Sequence, residues 1–328
     1  MLQYLVILLD DTSVAYCHAD NPLTEHNLMP LETLKKAILF GMKENLMIQY
    51  VLPDYEIPQE YYKTMESIDN VKILGIQAYT HEKHTRQETD VIVFNSIPKK
   101  TEAKNVVIRL PYSEMVNKRH DIAALFSIIT RLNLVVTDVD TFTDENTDTY
   151  KQALNDWVNG LMGQFKQGKQ PQVNVLTDRL QLETMHNCES GVGNITIAPN
   201  GKFYLCPAFY YDERIGINNR LNHHNPSSAQ SVGDLEKGLR IPNPQLLKLD
   251  HAPLCRICDA YQCRRCIWLN QRLTWENNTP SHQQCVLSHL ERNASRELQI
   301  QLQQEGFITK NKIEEIDYLD PFDVREQY

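Results

Sequence analysis

Several things are scarce in this chain of 328 residues, and each scarcity excludes something. Glycine is rare, at 12 residues, and no glycine-rich loop suited to cradling phosphate occurs. Positive charge is in deficit: 33 Lys and Arg face 42 Asp and Glu, a formal net charge of −9. A nucleic-acid binder usually presents a net basic face, so nucleic acid is not an expected partner, whereas a basic peptide or protein is compatible. No apolar run approaches the roughly 18 residues that a membrane-spanning helix requires, so no membrane association is expected. The start, MLQYLVILLDDTS, has neither a basic n-region nor a small-residue cleavage site and reads as a strand, so a cytoplasmic location is expected. No Ser/His/Asp arrangement, internal repeat or low-complexity segment is visible. Cysteine is nearly missing from the first half, where Cys17 stands alone before residue 187.

What remains is ordinary globular composition, with 41% apolar and 23% charged residues. The first 180 residues alternate short β-rich runs with helical patterns. QYLVILLD (3–10), LMIQYVLP (46–53), VKILGIQ (71–77), DVIVFNS (90–96), NVVIRL (105–110) and NLVVTDV (133–139) read as six strands. Leu31, Leu34, Ile38 and Met42 share one helical face within 28–45. Helices are also expected over 113–133 and 144–168, the latter opened by acidic residues that suit a helix N-terminus. Strands alternating with helices imply a parallel α/β sheet, either curled into a partial barrel or openly doubly wound. The fourth and fifth strands are joined too closely for a full helix between them.

After about residue 180 the pattern changes. GNITIAPNGKFYLCP (193–207) reads as a hairpin turning at Asn200-Gly201. A polar loop (217–231), a cysteine cluster, a long polar helix (281–306) and an acidic tail follow. The expected division is 1–180, 181–290 and 291–328.

Seven of the eight cysteines lie beyond residue 187: Cys188, Cys206, Cys255, Cys258, Cys263, Cys266 and Cys285. Four of them form Cys255-x2-Cys258-x4-Cys263-x2-Cys266. In a reducing compartment such clusters read as metal ligands rather than disulfides. Paired CxxC steps bring two thiolates to one metal from a tight turn, and a distant cysteine closes the shell. Structural zinc, iron–sulfur clusters and plain thiols all remain open at this level. Seven thiolates suit neither one nor two closed all-cysteine zinc sites. Two iron–sulfur clusters would need one further ligand or leave one iron open.

The order Cys188-x12-Gly201-x4-Cys206, the dense quartet and the trailing Cys285 resembles the SPASM extension of radical-SAM peptide-modifying enzymes. That family's pattern runs C-x(9–15)-G-x4-C, a gap, C-x2-C-x5-C-x3-C, a gap and C. Two quartet spacers here are one residue shorter. The resemblance implies a partial (β/α)6 barrel of radical-SAM type with a C-terminal SPASM-like Cys-rich domain, and two [4Fe–4S] clusters. Cys255, Cys258, Cys263 and Cys285 would hold one. Cys188, Cys206 and Cys266 would hold the other, with a fourth cysteine absent near Asn194 and His186 as a candidate to complete the set.

The front end departs from the same family. Radical-SAM enzymes carry C-x3-C-x2-C after the first strand. Here Cys17 matches the first position, and the next two are Asn21 and Thr24. A Gly-Gly-Glu-Pro-like stretch that binds the methionyl amine has only Pro53-Asp54 in its place. Cys17 is therefore read as a remnant, a small packed thiol, and S-adenosylmethionine is not expected to bind. The whole pattern most resembles the CXXX-repeat peptide maturases, which implies a Cys-rich precursor peptide and an intact radical-SAM enzyme as partners. It leaves open whether this chain is itself catalytic.

Lesser signals have plainer accounts. His81 and His84 are three apart, not the i, i+4 spacing of a helical zinc site. DVDTFTDENTD (138–148) puts Phe142 and Thr143 where a calcium loop needs an oxygen ligand and a glycine, so it reads as helix capping. Tyr210, Tyr211 and Trp268 either shield clusters or pack in the core. Arg256, Arg264 and Arg265 either offset cluster charge or are solvated.

Overall fold

The computed structural model describes residues 2–81, 87–185, 188–216 and 230–308. His84, His186 and the acidic tail fall outside them. In chain order the front part runs β1 (Tyr4–Leu8), α1 (Leu31–Lys43), β2 (Met47–Val51), α2 (Gln59–Met65), β3 (Asn70–Gly75), α3 (Ile76–His81) and β4 (Val91–Phe94). It continues with β5 (Asn105–Leu110), α4 (Tyr112–Asn117), α5 (Arg119–Leu125), β6 (Arg131–Val136), α6 (Thr147–Lys166), β7 (Gln172–Val173) and α7 (Asn174–Thr177). The rear part contributes β8 (Asn194–Ile197), β9 (Phe203–Tyr204), α8 (Pro207–Arg214), α9 (Ile267–Thr274) and α10 (His282–Gln304). All six expected strands form, and no helix occupies the short link between β4 and β5.

The chain packs as two compact units. One comprises Met1–Val93, Glu189–His251 and Ile267–Asn278; the other comprises Phe94–Cys188, Ala252–Cys266 and Thr279–Tyr328. Each draws on both the α/β part and the Cys-rich part, a division by packing that differs from the compositional one.

In the first unit β1, β2, β3 and β4 pair in parallel and in sequence order, so no topological switch point interrupts them. That sequential order belongs to a (β/α) barrel type rather than to the doubly wound alternative. β8 lies parallel to β1 on its other side, Leu5 opposite Ile195 and Ile7 opposite Ile197. A strand from the Cys-rich part thus extends the sheet, which its sequence did not suggest. The β8–β9 hairpin is antiparallel, but its turn is longer than two residues: Gly201 N–H reaches Ala198 O, and Gly201 sits at φ +74°. Glycine takes that left-handed conformation without steric cost.

In the second unit β5, β6 and β7 are parallel. The helix expected over 113–133 is two short helices, α4 and α5, separated at Lys118, whose φ −102° and ψ 22° lie outside the helical well. It also stops early, because β6 claims Arg131 through its N–H bond to Lys104 O. α6 buries Tyr150, Ala153, Leu154, Trp157, Val158, Leu161 and Phe165, an i, i+3, i+4 stripe. Each large apolar side chain so buried contributes roughly 1.5–3 kcal/mol. α10 packs beside α6 and α7, and Ser295 Oγ donates to Leu176 O at 2.6 Å. The acidic segment before α6 is a capping box: Thr143 N–H donates to Asn146 Oδ1 at 2.9 Å, as the capping reading required. Among the described residues no helix is long and apolar enough to cross a membrane.

Candidate metal centre

Ala252–Cys266 winds as consecutive tight turns. Cys255 N–H bonds to Ala252 O (3.1 Å), Cys258 N–H to Cys255 O (3.2 Å) and Cys263 N–H to Ala260 O (2.9 Å). Turns of this kind give each CxxC step its reach, since three residues of tight turn bring two thiols onto one side. Cys285 arrives from the first turn of α10, whose N-cap Ser281 accepts from Gln284 N–H at 3.2 Å. A cap of this type contributes about 1 kcal/mol to a helix start.

These elements surround one cavity of about 430 Å³, counting the space open to solvent. Its walls include Cys255, Cys258, Cys263, Cys285, Arg265 and His289. The four cysteines are those expected to serve one cluster, and the fold brings all four to one cavity across 30 residues of chain. Among the described residues no three His, Cys, Asp or Glu side chains converge on a single metal position. A tetrahedral zinc with Zn–S near 2.3 Å would need its sulfurs about 3.8 Å apart. Four cysteines around one cavity are equally the donor set of a [4Fe–4S] group.

Burial disfavours the thiolate form of two of these cysteines. Burial pushes Cys258 up to about 12, with the Ala260 N–H opposing (3.4 Å to Sγ), and pushes Cys263 above the ordinary thiol range. A bound metal deprotonates such a thiol outright, which burial alone does not. The donor set, four cysteines lining one cavity, fits an iron–sulfur group. His289 Nε2 lies 3.6 Å from Cys258 Sγ.

The loop is anchored from beneath. Asp259, nearly fully buried, pairs with Arg179 Nη2 and Arg292 Nη1, each at 3.1 Å, and Arg179 Nε also donates to its carbonyl at 2.8 Å. Gln262 Nε2 donates to Ser288 O at 2.7 Å. Glu291 accepts from Tyr150 OH at 2.8 Å, and desolvation raises it to about 7. Arg264 reaches Asn133 Oδ1 at 3.2 Å, Arg265 is 2% exposed, and Arg256 is exposed. The Asp259 clamp and Glu291 were not anticipated. An aspartate inside a cysteine loop reads in sequence as a solvated charge.

Of the second expected set, Cys188 and Cys266 lie half-buried in one compact unit, and Cys206, half-buried at the N-cap of α8, lies in the other.

The loop after β1 is built differently. Cys17 is exposed, so the packed-thiol expectation gives way to a surface position. Asn21 Nδ2 donates to Asp11 O (2.7 Å) and Ser13 O (2.8 Å), and its Oδ1 accepts from Leu23 N–H (3.0 Å); Thr24 is exposed. Asp10 is fully buried and accepts from Thr12 N–H, Thr12 Oγ1 and Tyr55 OH at 2.6–2.8 Å. Asp11, 1% exposed, accepts from Tyr210 OH and from Arg214 Nη2 at 2.9 Å. Tyr210 thus serves a carboxylate, and Trp268 Nε1 likewise donates to Asp212 at 2.7 Å. Asp54 is exposed as a residue, yet its carboxylate accepts the Ala78 N–H and lies against Gly75. A Cβ at Gly75 would stand 1.8 Å from Asp54 Oδ1. The residues at this end do not fit a three-thiolate cluster.

No family model matches the chain, and no curated protein matches it. Solved structures do. Native anSMEcpe with bound AdoMet, an anaerobic sulfatase-maturating enzyme of the radical-SAM/SPASM type, aligns at TM-score 0.54 with 9% identity over 92% of this chain and 99% of that one. The same enzyme with AdoMet and the Kp18Cys peptide aligns at TM-score 0.55 with 10% identity over the same shares. Its complex with the Cp18Cys peptide gives TM-score 0.53 and 10% identity. The chain therefore has an α/β fold of radical-SAM type with a parallel sheet. Because those neighbours hold AdoMet, the expectation that this chain dispenses with it gains no support from them.

Proposed function

We propose that this chain is an iron–sulfur protein of ribosomal-peptide maturation, with one [4Fe–4S] cluster held by Cys255, Cys258, Cys263 and Cys285. The observation that carries this reading is the single cavity to which those four residues contribute. The bound group would supply one-electron redox capacity or an iron that polarises a ligand. The chain's own part is to desolvate the thiols and hold their loop through Asp259. A second cluster on Cys188, Cys206 and Cys266 rests on the sequence spacing alone.

The substrate we propose is a Cys-rich peptide of CXXX-repeat type, in the cytoplasm. The peptide complexes of the structural neighbours support peptide binding by this fold. We read the chain as the accessory partner of an intact radical-SAM maturase, because Asn21 and Thr24 stand where that chemistry needs thiolates. A second reading, an enzyme binding AdoMet in an atypical way, is favoured by the AdoMet in the neighbours.

One experiment separates these readings. The protein is reconstituted without oxygen, analysed for iron, zinc and sulfide, and then incubated with reductant, AdoMet and a CXXX peptide. Bound iron and sulfide without 5′-deoxyadenosine supports the accessory reading. Deoxyadenosine formed by this protein alone supports the enzyme reading. Zinc without sulfide overturns both in favour of a zinc scaffold.

A further inference from the structure

Three large arginine side chains are fully buried, and they do different things. Arg179 and Arg292 are both engaged by the Asp259 carboxylate. Arg265 instead lines the cysteine cavity, directly between Arg264 and Cys266 in sequence. An arginine keeps its proton under all ordinary conditions, so a fixed positive charge stands in the wall of the site.

Four thiolates around an iron–sulfur core would bring negative charge to the cavity that Arg265 lines, and the core becomes one unit more negative when reduced. Hydrogen bonds and nearby charge are among the factors that set the potential of such clusters. In a poorly screened interior the interaction between the guanidinium and the added electron is strong.

We infer that Arg265 sets the reduction potential of the centre in this cavity, by stabilising its one-electron-reduced state. This rests on the proposal that an iron–sulfur cluster occupies the cavity. Arg265 is a positioning charge and forms no bond to iron. The electron comes from a low-potential external donor, dithionite in the assay, and no other group changes oxidation state.

The test is an anaerobic redox titration, followed by electron paramagnetic resonance, of the reconstituted full chain, its R265M variant and its R265K variant. R265M keeps the length and apolar stem while removing the charge. In R265M, one cluster signal should shift so that at least tenfold less of it is reduced at a fixed potential, or about 59 mV more negative for one electron. R265K should load iron as the parent does and move less than half as far. Full iron loading of R265M with unmoved midpoints overturns the inference and leaves the cluster proposal standing. If R265M does not load iron, R265K decides: loading with a near-parental midpoint supports the role of charge, and failure to load overturns it. Absence of iron from the parent protein overturns the cluster proposal and this inference with it.

Discussion

The loop after β1 and the loop at 252–266 solve the problem of ordering an irregular segment in opposite ways. The rear loop brings its thiols to a cavity and ties down its backbone through Asp259, Arg179 and Arg292. The front loop has its polar groups satisfied by other side chains of the protein: Asp10 by Thr12 and Tyr55, Asp11 by Tyr210 and Arg214, and the backbone by Asn21. A segment that relies on a bound group stays incomplete without it. A segment closed by hydrogen bonds to protein side chains does not. The difference teaches that an irregular segment can be ordered by a polar network where another presents thiols to a cavity.

The sharpest way to break the contrast is at Asp259. D259A leaves Arg179 and Arg292 buried with their shared carboxylate gone, and such a loss costs about 3–5 kcal/mol. Urea unfolding should show it, and iron uptake should fall in parallel. Substituting Asp11 at the front should cost stability without touching iron content.

A second test uses pH. Glu291 is raised to about 7 in the folded protein from an ordinary 4.5, so the native state holds its proton more tightly than the unfolded state. Its contribution is fully present below about 4.5 and is lost as pH rises through about 7. Every tenfold difference in proton affinity between the two states corresponds to about 1.4 kcal/mol, so a few kcal/mol are at stake. Metal-free protein should lose stability between those limits, and E291Q should flatten that slope.

At the front, G75A should cost about 1–3 kcal/mol, because its new Cβ displaces the Asp54 carboxylate. N21A should cost about the same or less by leaving the Asp11 and Ser13 carbonyls without their donor. Thermal denaturation reads both. If N21A changed iron content instead of stability, the two loops would be less different than described.

Much of the fold was legible because its strands are short apolar runs whose periodicity and spacing are local properties. The helix over 113–133 was not, since its apolar pattern continues through Lys118 while the competition from β6 for Arg131 is a long-range effect. The role of β8 beside β1 likewise depends on pairing across nearly 190 residues. Of the site, the spacing pointed to the four cysteines that line the cavity. Asp259, Glu291 and Asp11 were not, because a carboxylate's burial is decided by partners such as Arg292, Tyr150 and Tyr210 that lie far along the chain.

The most direct measurement is the iron and acid-labile sulfide content of anaerobically reconstituted protein, compared among the parent chain, a C255S/C258S/C263S variant and C17S. The account predicts that the triple variant loses about four irons and four sulfides per chain, one cluster's worth, while C17S keeps the parental content. Equal loading of parent and triple variant, or loss on changing Cys17 alone, would contradict it.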